Sequence, residues 1–316
     1  MKLHLDKIAF EQIISETSTK YKVRQEILEK DYYVTLLLQE LSAYDKQGYA
    51  YFKGGTALYK ALKSIRRFSE DVDLTVYIEN CPTPSQAKKR LENATLKYKC
   101  LPKGKTLQNE RGSIVCEYLY DSIFSFDSGD SLQRYEKVKV EATSFTISEP
   151  TTKIEIAPHL YELCSEEQKE ILRNKYEVFP FIIETISLER IFIDKVFAAE
   201  FYFERSEYGD VAKHIYDLTV LFENNLIKRF FANKGAVMKI IQLKRQEELV
   251  RKGGVNSNLK IKDFSYFEVL HRFSEFEKAF DRMQRIYVFS NNDKLSVQDA
   301  FNALSKIHRI FDNMNL

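Results

Sequence analysis

Two aspartates, Asp71 and Asp73, stand one residue apart in the run SEDVDL, sixteen positions after a glycine pair, Gly54 and Gly55, that is followed by Thr56. If the run is a strand, its side chains alternate, so Asp71 and Asp73 face one side while Glu70 and Val72 face the other. Two carboxylates then share one space. The glycine pair ends a short extended run, Ala50–Lys53, where bare backbone allows a ligand to come close. Thr56 opens a helix whose free N–H groups favour an anion, which makes a phosphate-sized site. A hard cation such as Mg²⁺ takes oxygen ligands and is readily shared between carboxylates and substrate phosphates. Here the two halves of such a site lie about one short helix apart.

Holding two metal ions asks for a third acid. In KVKVEATSF, residues 137–145, Val138, Val140 and Ala142 alternate with Lys139 and Glu141, so Glu141 is a charge on an otherwise core-like strand. Glu155, in KIEI, is the competing candidate. Glu141 is preferred because its strand is longer and its neighbours more apolar. Two like charges about 4 Å apart repel by about 4 kcal/mol at an effective dielectric near 20. Without cations such a cluster is hard to account for.

The elements that must position these residues are legible in the periodicity. Helical spacing occurs twice between residue 6 and about 43, in DKIAFEQIISETS and VRQEILEKDYYVTLLLQEL, with a break around 19–21. A compact helix is predicted from 56 to about 65. Strands are predicted at 50–53, 71–78, 113–120, 138–145 and 153–156. Residues 1–165 are therefore expected to form an α+β unit with a mostly antiparallel or mixed sheet, and 166–316 a helical domain. After about residue 185 the strand signals stop. ISLERIFIDKVFAAEFYFE, DVAKHIYDLTVLFEN and SVQDAFNALSKIHRIFDNM carry apolar residues at three and four spacing, and Ser296 is suited to cap the last.

Composition bounds the rest. The chain has 316 residues, 44% hydrophobic and 30% charged, as in an ordinary globular protein. Only 10 glycines and 6 prolines occur, which favours long helices over a many-turned sandwich. Cys81, Cys100, Cys116 and Cys164 match neither a zinc knuckle nor a dense disulfide framework, and a reducing compartment fits best. No signal peptide or membrane span is evident, so a cytoplasmic protein is expected. His4, His159, His214, His271 and His308 are scattered, without metal-ligand or triad spacing.

GGT, followed after one helix by SEDVDL, resembles the first motif of the minimal nucleotidyltransferases of the AbiEii type. These are toxin components of bacterial abortive-infection (phage-defence) and toxin–antitoxin pairs, a family that includes the mycobacterial MenT group. EKDYYVTLLLQEL, residues 29–41, resembles the segment that precedes the glycine pair there. Downstream, SLERIFIDKVFA carries Lys195, similar to the family's essential lysine, and KHIYDLTVL carries Asp217, similar to its final acidic residue. Thr56 stands where the family often has Ser, and Lys213-His214 where it often has a Lys-Asp or Arg-Asp pair.

The resemblance implies an α+β, polymerase β-like nucleotidyltransferase fold with a mixed sheet and a helical C-terminal half. It implies transfer of a nucleoside monophosphate from an NTP to an acceptor hydroxyl, with pyrophosphate leaving. Asp71 and Asp73 would hold Mg²⁺ (or Mn²⁺), and Glu141 would complete the metal site or act as base. Gly54, Gly55 and Thr56 would seat the triphosphate, with Lys195 neutralising its charge. Asp217 would orient Lys195 or contact base or ribose. In relatives the acceptor is the 3′ end of tRNA, which blocks translation, and a cognate antitoxin is the implied partner.

The charges alone add a further expectation. Residues 228–262 hold ten basic residues against two acidic ones, Glu247 and Glu248; this +8, in a chain of net +2, leaves −6 elsewhere. A basic surface on an otherwise acidic molecule is a footprint for an RNA backbone, which Arg66 and Arg67 would extend toward the acidic motif. Two other readings compete: the same fold modifying a small-molecule or protein hydroxyl, and a non-catalytic binding module.

Overall fold

The computed structural model describes all residues except 46, 64–65, 111, 125–135, 147–148, 252 and 289. They fall into two compact units, Met1–Thr185 and Ile186–Leu316.

The first unit begins with helices α1 (Lys7–Tyr21) and α2 (Gln25–Tyr44). Asp6 caps α1 by accepting from the Ala9 N–H, and the helix ends at Lys22, whose φ of 56° is left-handed. There follow β1 (Ala50–Lys53), α3 (Gly54–Ala61), β2 (Val72–Val76), α4 (Pro84–Leu96), β3 (Lys103–Glu110), β4 (Ser113–Leu119) and β5 (Lys137–Thr143). The unit continues with β6 (Thr151–Ile156), α5 (His159–Leu163), α6 (Glu166–Tyr176) and β7 (Phe181–Ile186).

Among the described residues the strands form one seven-stranded mixed sheet in the order β3-β4-β5-β2-β1-β7-β6. β1 and β2 are antiparallel, β2 and β5 parallel, β4 and β5 antiparallel, and β1 and β7 parallel through Phe52 and Thr185. The Thr185 hydroxyl donates to the Phe52 carbonyl at 2.6 Å. That pairing carries the first unit past residue 165, since 166–185 lead into a strand of its sheet.

Alternation gives the sheet two unlike faces. Ala50, Phe52, Val72, Leu74, Val76, Val138, Val140 and Ala142 are buried, and α2 and α4 pack on these strands. The opposite phase carries Lys53, Asp73, Thr75, Lys139, Glu141 and Thr143. β3 and β7 were not among the predicted strands. β3 reads KGKTLQNE, is exposed along most of its length, and forms the outer strand beside β4. The predicted helix at 56–65 instead begins at Gly54 and ends at Ala61; residues 64 and 65 lie outside the described part.

The second unit is helical: α7 (Leu188–Phe203), α8 (Tyr208–Phe222), α9 (Asn225–Ala232), α10 (Lys234–Val250), α11 (Ser265–Val269), α12 (Ser274–Tyr287) and α13 (Val297–Met314). Ser187 caps α7, and Ser296 caps α13 in a reciprocal box with Asp299. α8 packs against α7, α12 and α13, with Val211, Ala212, Ile215 and Leu218 fully buried. No described helix is long and apolar enough to cross a membrane.

Candidate active site

The strand register decides which acids meet. In the parallel pair of β2 and β5, Asp73 stands opposite Glu141; in the antiparallel pair of β1 and β2, it stands opposite Lys53. Asp71, one residue before β2, lies against Lys139, with Oδ2 3.1 Å from Nζ. Asp71, Asp73 and Glu141 thus share one end of the polar face with Lys53 and Lys139. Glu155 is exposed on β6, which is separated from β2 by β1 and β7.

The electrostatics follow from this crowding. Burial, then the charges of Asp71 and Glu141, push the Asp73 carboxyl up from 3.8 to about 7, while Lys53 and Lys139 pull the other way. Burial would lower the Lys139 ammonium, but Asp71, Asp73 and Glu141 more than offset it and raise its pKa. Lys53 donates to the Thr143 hydroxyl at 2.8 Å. These two lysines were not singled out in the sequence. The period-two pattern shows them on the acidic face, but which acids they meet depends on strand pairing.

Three carboxylates are the hard-oxygen donor chemistry that Mg²⁺ or Mn²⁺ takes. As the side chains stand, no three His, Cys, Asp or Glu residues among those described are spaced to hold an ion. Asp71 lies on Lys139 instead, so an ion shared with Asp73 has to compete with that ammonium.

At the glycines the chain's own residues come close. Gly54 has φ +79°, and a side chain there would run into the Asp73 carboxylate. A Cβ on Gly55 would stand 2.7 Å from Ser69 Oγ and 3.0 Å from an Arg67 guanidinium nitrogen. Both bare positions therefore admit the chain's own motif loop. Thr56 is likewise turned inward: 4% exposed, it donates its hydroxyl to the Asp71 carbonyl at 2.7 Å. That hydroxyl fixes the loop, and the first-turn N–H groups of α3 remain as anion donors.

In the second unit, Lys195 on α7 and Asp217 on α8 form a buried ion pair of 3.0 Å. His214, one turn before Asp217 on α8, stacks on Tyr202 with ring centroids 5.3 Å apart. The basic segment needs two corrections. Lys244 is buried, bridging Glu248 at 2.8 Å, Glu247 at 3.1 Å and Asp194 at 3.5 Å, and Glu247 also binds the buried Arg190. Because Glu247 and Glu248 point inward, the exposed Lys228, Arg229, Lys234, Lys239 and Lys260 are not opposed by the segment's own acids. Lys252 lies outside the described residues. Arg67 is not part of any basic surface: it is buried, donates to the Phe68 carbonyl and lies over the Tyr59 ring.

A family model described as nucleotidyl transferase AbiEii toxin, type IV toxin–antitoxin system, matches residues 36–303, most of the chain. The chain belongs to the AbiEii family. It is thus a toxin nucleotidyltransferase, and membership of a type IV toxin–antitoxin family implies an antitoxin partner. The α+β sheet unit and helical C-terminal half agree with a nucleotidyltransferase fold. No curated protein matches the sequence. The family match starts after Glu29, Lys30 and Asp31.

Proposed function

We propose that this AbiEii-family protein transfers a nucleoside monophosphate from an NTP to the 3′ end of tRNA, in a Mg²⁺-dependent reaction that stops translation. The observation that carries this reading is the meeting of Asp71, Asp73 and Glu141 beside the glycine turn, with Asp73 pushed up to about 7 by burial and its acidic neighbours. Three carboxylates against the two ammoniums of Lys53 and Lys139 make an acid-rich site, which suits a divalent cation able to bring a nucleotide's phosphates to it.

In this reading Asp71 and Asp73 hold the metal and Glu141 completes the acidic set. When bound, the metal neutralises phosphate charge and favours the leaving pyrophosphate. The N–H groups at the start of α3 bind phosphate oxygens. The acceptor hydroxyl attacks the α-phosphorus, the bond from that phosphorus to the bridging oxygen breaks, and Glu141 takes the hydroxyl proton. Lys195, oriented by Asp217, neutralises triphosphate charge, an assignment that follows the family motif. The exposed lysines and arginine of α9 and α10 support an RNA acceptor, since phosphate contacts dominate such binding.

The test incubates purified protein with Mg²⁺, total tRNA and each labelled NTP in turn, beside Asp71→Ala and Asp73→Ala. The expected result is one preferred nucleotide appended to RNA, lost in both variants. Label on protein or small molecules would replace RNA as the acceptor, and no transfer under any condition would remove the catalytic reading.

A further inference from the structure

The run Glu29-Lys30-Asp31 sits inside the protein: the three residues are 0%, 2% and 7% exposed. Consecutive residues on a helix point about 100° apart, so three neighbours can reach three different segments. They do. Glu29 accepts from the Ile123 N–H at 2.9 Å and from the Ser122 hydroxyl at 2.5 Å. Lys30 bridges Glu70 at 2.9 Å. Asp31 bridges Lys60 of α3 at 2.7 Å and accepts from the His159 N–H at 2.7 Å.

Two of these bonds close a circuit around Asp71. Lys30 holds Glu70, the residue directly before Asp71; the Asp71 carbonyl accepts from Thr56 at 2.7 Å. Thr56 lies one turn from Lys60 on α3, and Lys60 returns to Asp31, the neighbour of Lys30. Burying ions is a poor route to stability, because desolvation largely offsets their attraction and apolar replacements are often neutral or better. What such bonds supply is direction. A misplacement of about 1 Å in a reacting group can cost roughly a hundredfold in rate.

We propose that Lys30 and Asp31 are positioning residues that set the backbone of Asp71 for nucleotidyl transfer, through Glu70 on one side and through Lys60, α3 and Thr56 on the other. The proposal rests on the nucleotidyltransferase reading of the acidic face and extends it to α2.

The experiment compares wild type with Glu70→Gln, Lys30→Met, the double variant and Lys30→Arg, by steady-state transfer and by amide exchange over residues 68–73. Glu70→Gln keeps a polar side chain of the same size at a position that is 14% exposed, and circular dichroism and thermal melts check that it folds. Both single variants are expected to lower kcat tenfold or more while KM for NTP stays within about threefold. The double variant is expected to be no slower than the slower single, and Lys30→Arg to recover most of the rate. Amides at 68–73 are expected to exchange about tenfold faster in Glu70→Gln and Lys30→Met, while β4 and β5 stay protected. Multiplying effects in the double variant, an unchanged kcat in Glu70→Gln, or unchanged exchange would each overturn the proposal. An inactive wild type would instead overturn the transferase reading, and the exchange comparison would still decide whether α2 holds the loop.

Discussion

Replacing Asp73 with Asn isolates what the acidic face costs the fold. An acid that binds its proton more tightly when folded than when unfolded disfavours folding wherever the unfolded acid is ionised. The penalty is absent below about pH 4 and complete above about pH 7, the two ends set by 3.8 and about 7 for Asp73. Roughly three pH units correspond to about 4 kcal/mol, and the minor part of the side chain that reaches solvent screens this to about 2 kcal/mol. In EDTA at pH 8, Asp73→Asn should therefore be more stable than wild type by about 2 kcal/mol. For a unit of this size that is a rise of about 4–8 °C in the unfolding midpoint. At pH 4 the two proteins should melt together. Scanning calorimetry in EDTA at both pH values, then at pH 8 with added Mg²⁺, measures this directly. Mg²⁺ should raise the wild-type midpoint and narrow the gap. A variant less stable than wild type at pH 8, or an equal change at both pH values, would refute the claim that burial and acid crowding raise Asp73.

Gly54→Ala should abolish transfer and lower stability by about 1–3 kcal/mol, measured by urea unfolding, because a side chain meets both a left-handed φ and the Asp73 carboxylate. Lys195→Met strips the buried Asp217 of the ammonium 3.0 Å away and should destabilise by about 3 kcal/mol; adding Asp217→Leu should recover most of that in thermal melts without restoring activity. Lys234→Gln with Lys239→Gln should weaken RNA binding and make the slope of log affinity against log salt shallower by about 1–2, with transfer to a minimal acceptor unaffected.

How far the site was legible depended on whether its signal was local. Asp71, Asp73 and Glu141 follow from period-two alternation, which each strand displays by itself. That Glu141 rather than Glu155 lies beside Asp73 is a matter of strand order, set by long-range pairing of β2 with β5. The glycine pair was legible as a place of close approach, while the closeness of the chain's own Asp73 and Ser69 to it needed the fold. β3 escaped because its polar sequence has no alternation to detect; β4 supplies its hydrogen bonds. Glu29, Lys30 and Asp31 stand in a segment legible only by resemblance, and partners distant in the chain at 122–123, 70, 60 and 159 account for their burial. The basic segment was legible as a count, while the inward turn of Lys244, Glu247 and Glu248 needed the helix packing.

The two faces of the central sheet are written in alternate letters of the same short words, so chemistry and core cannot drift apart. Inserting one residue in the middle of β5 would carry Glu141 to the face that α2 and α4 cover and turn Ala142 toward the acids, losing both functions at once. Insertions between β2 and α4, at residues 77–83, leave that phase untouched. Length variation among descendants of this sequence should therefore collect in such connections and spare the strands.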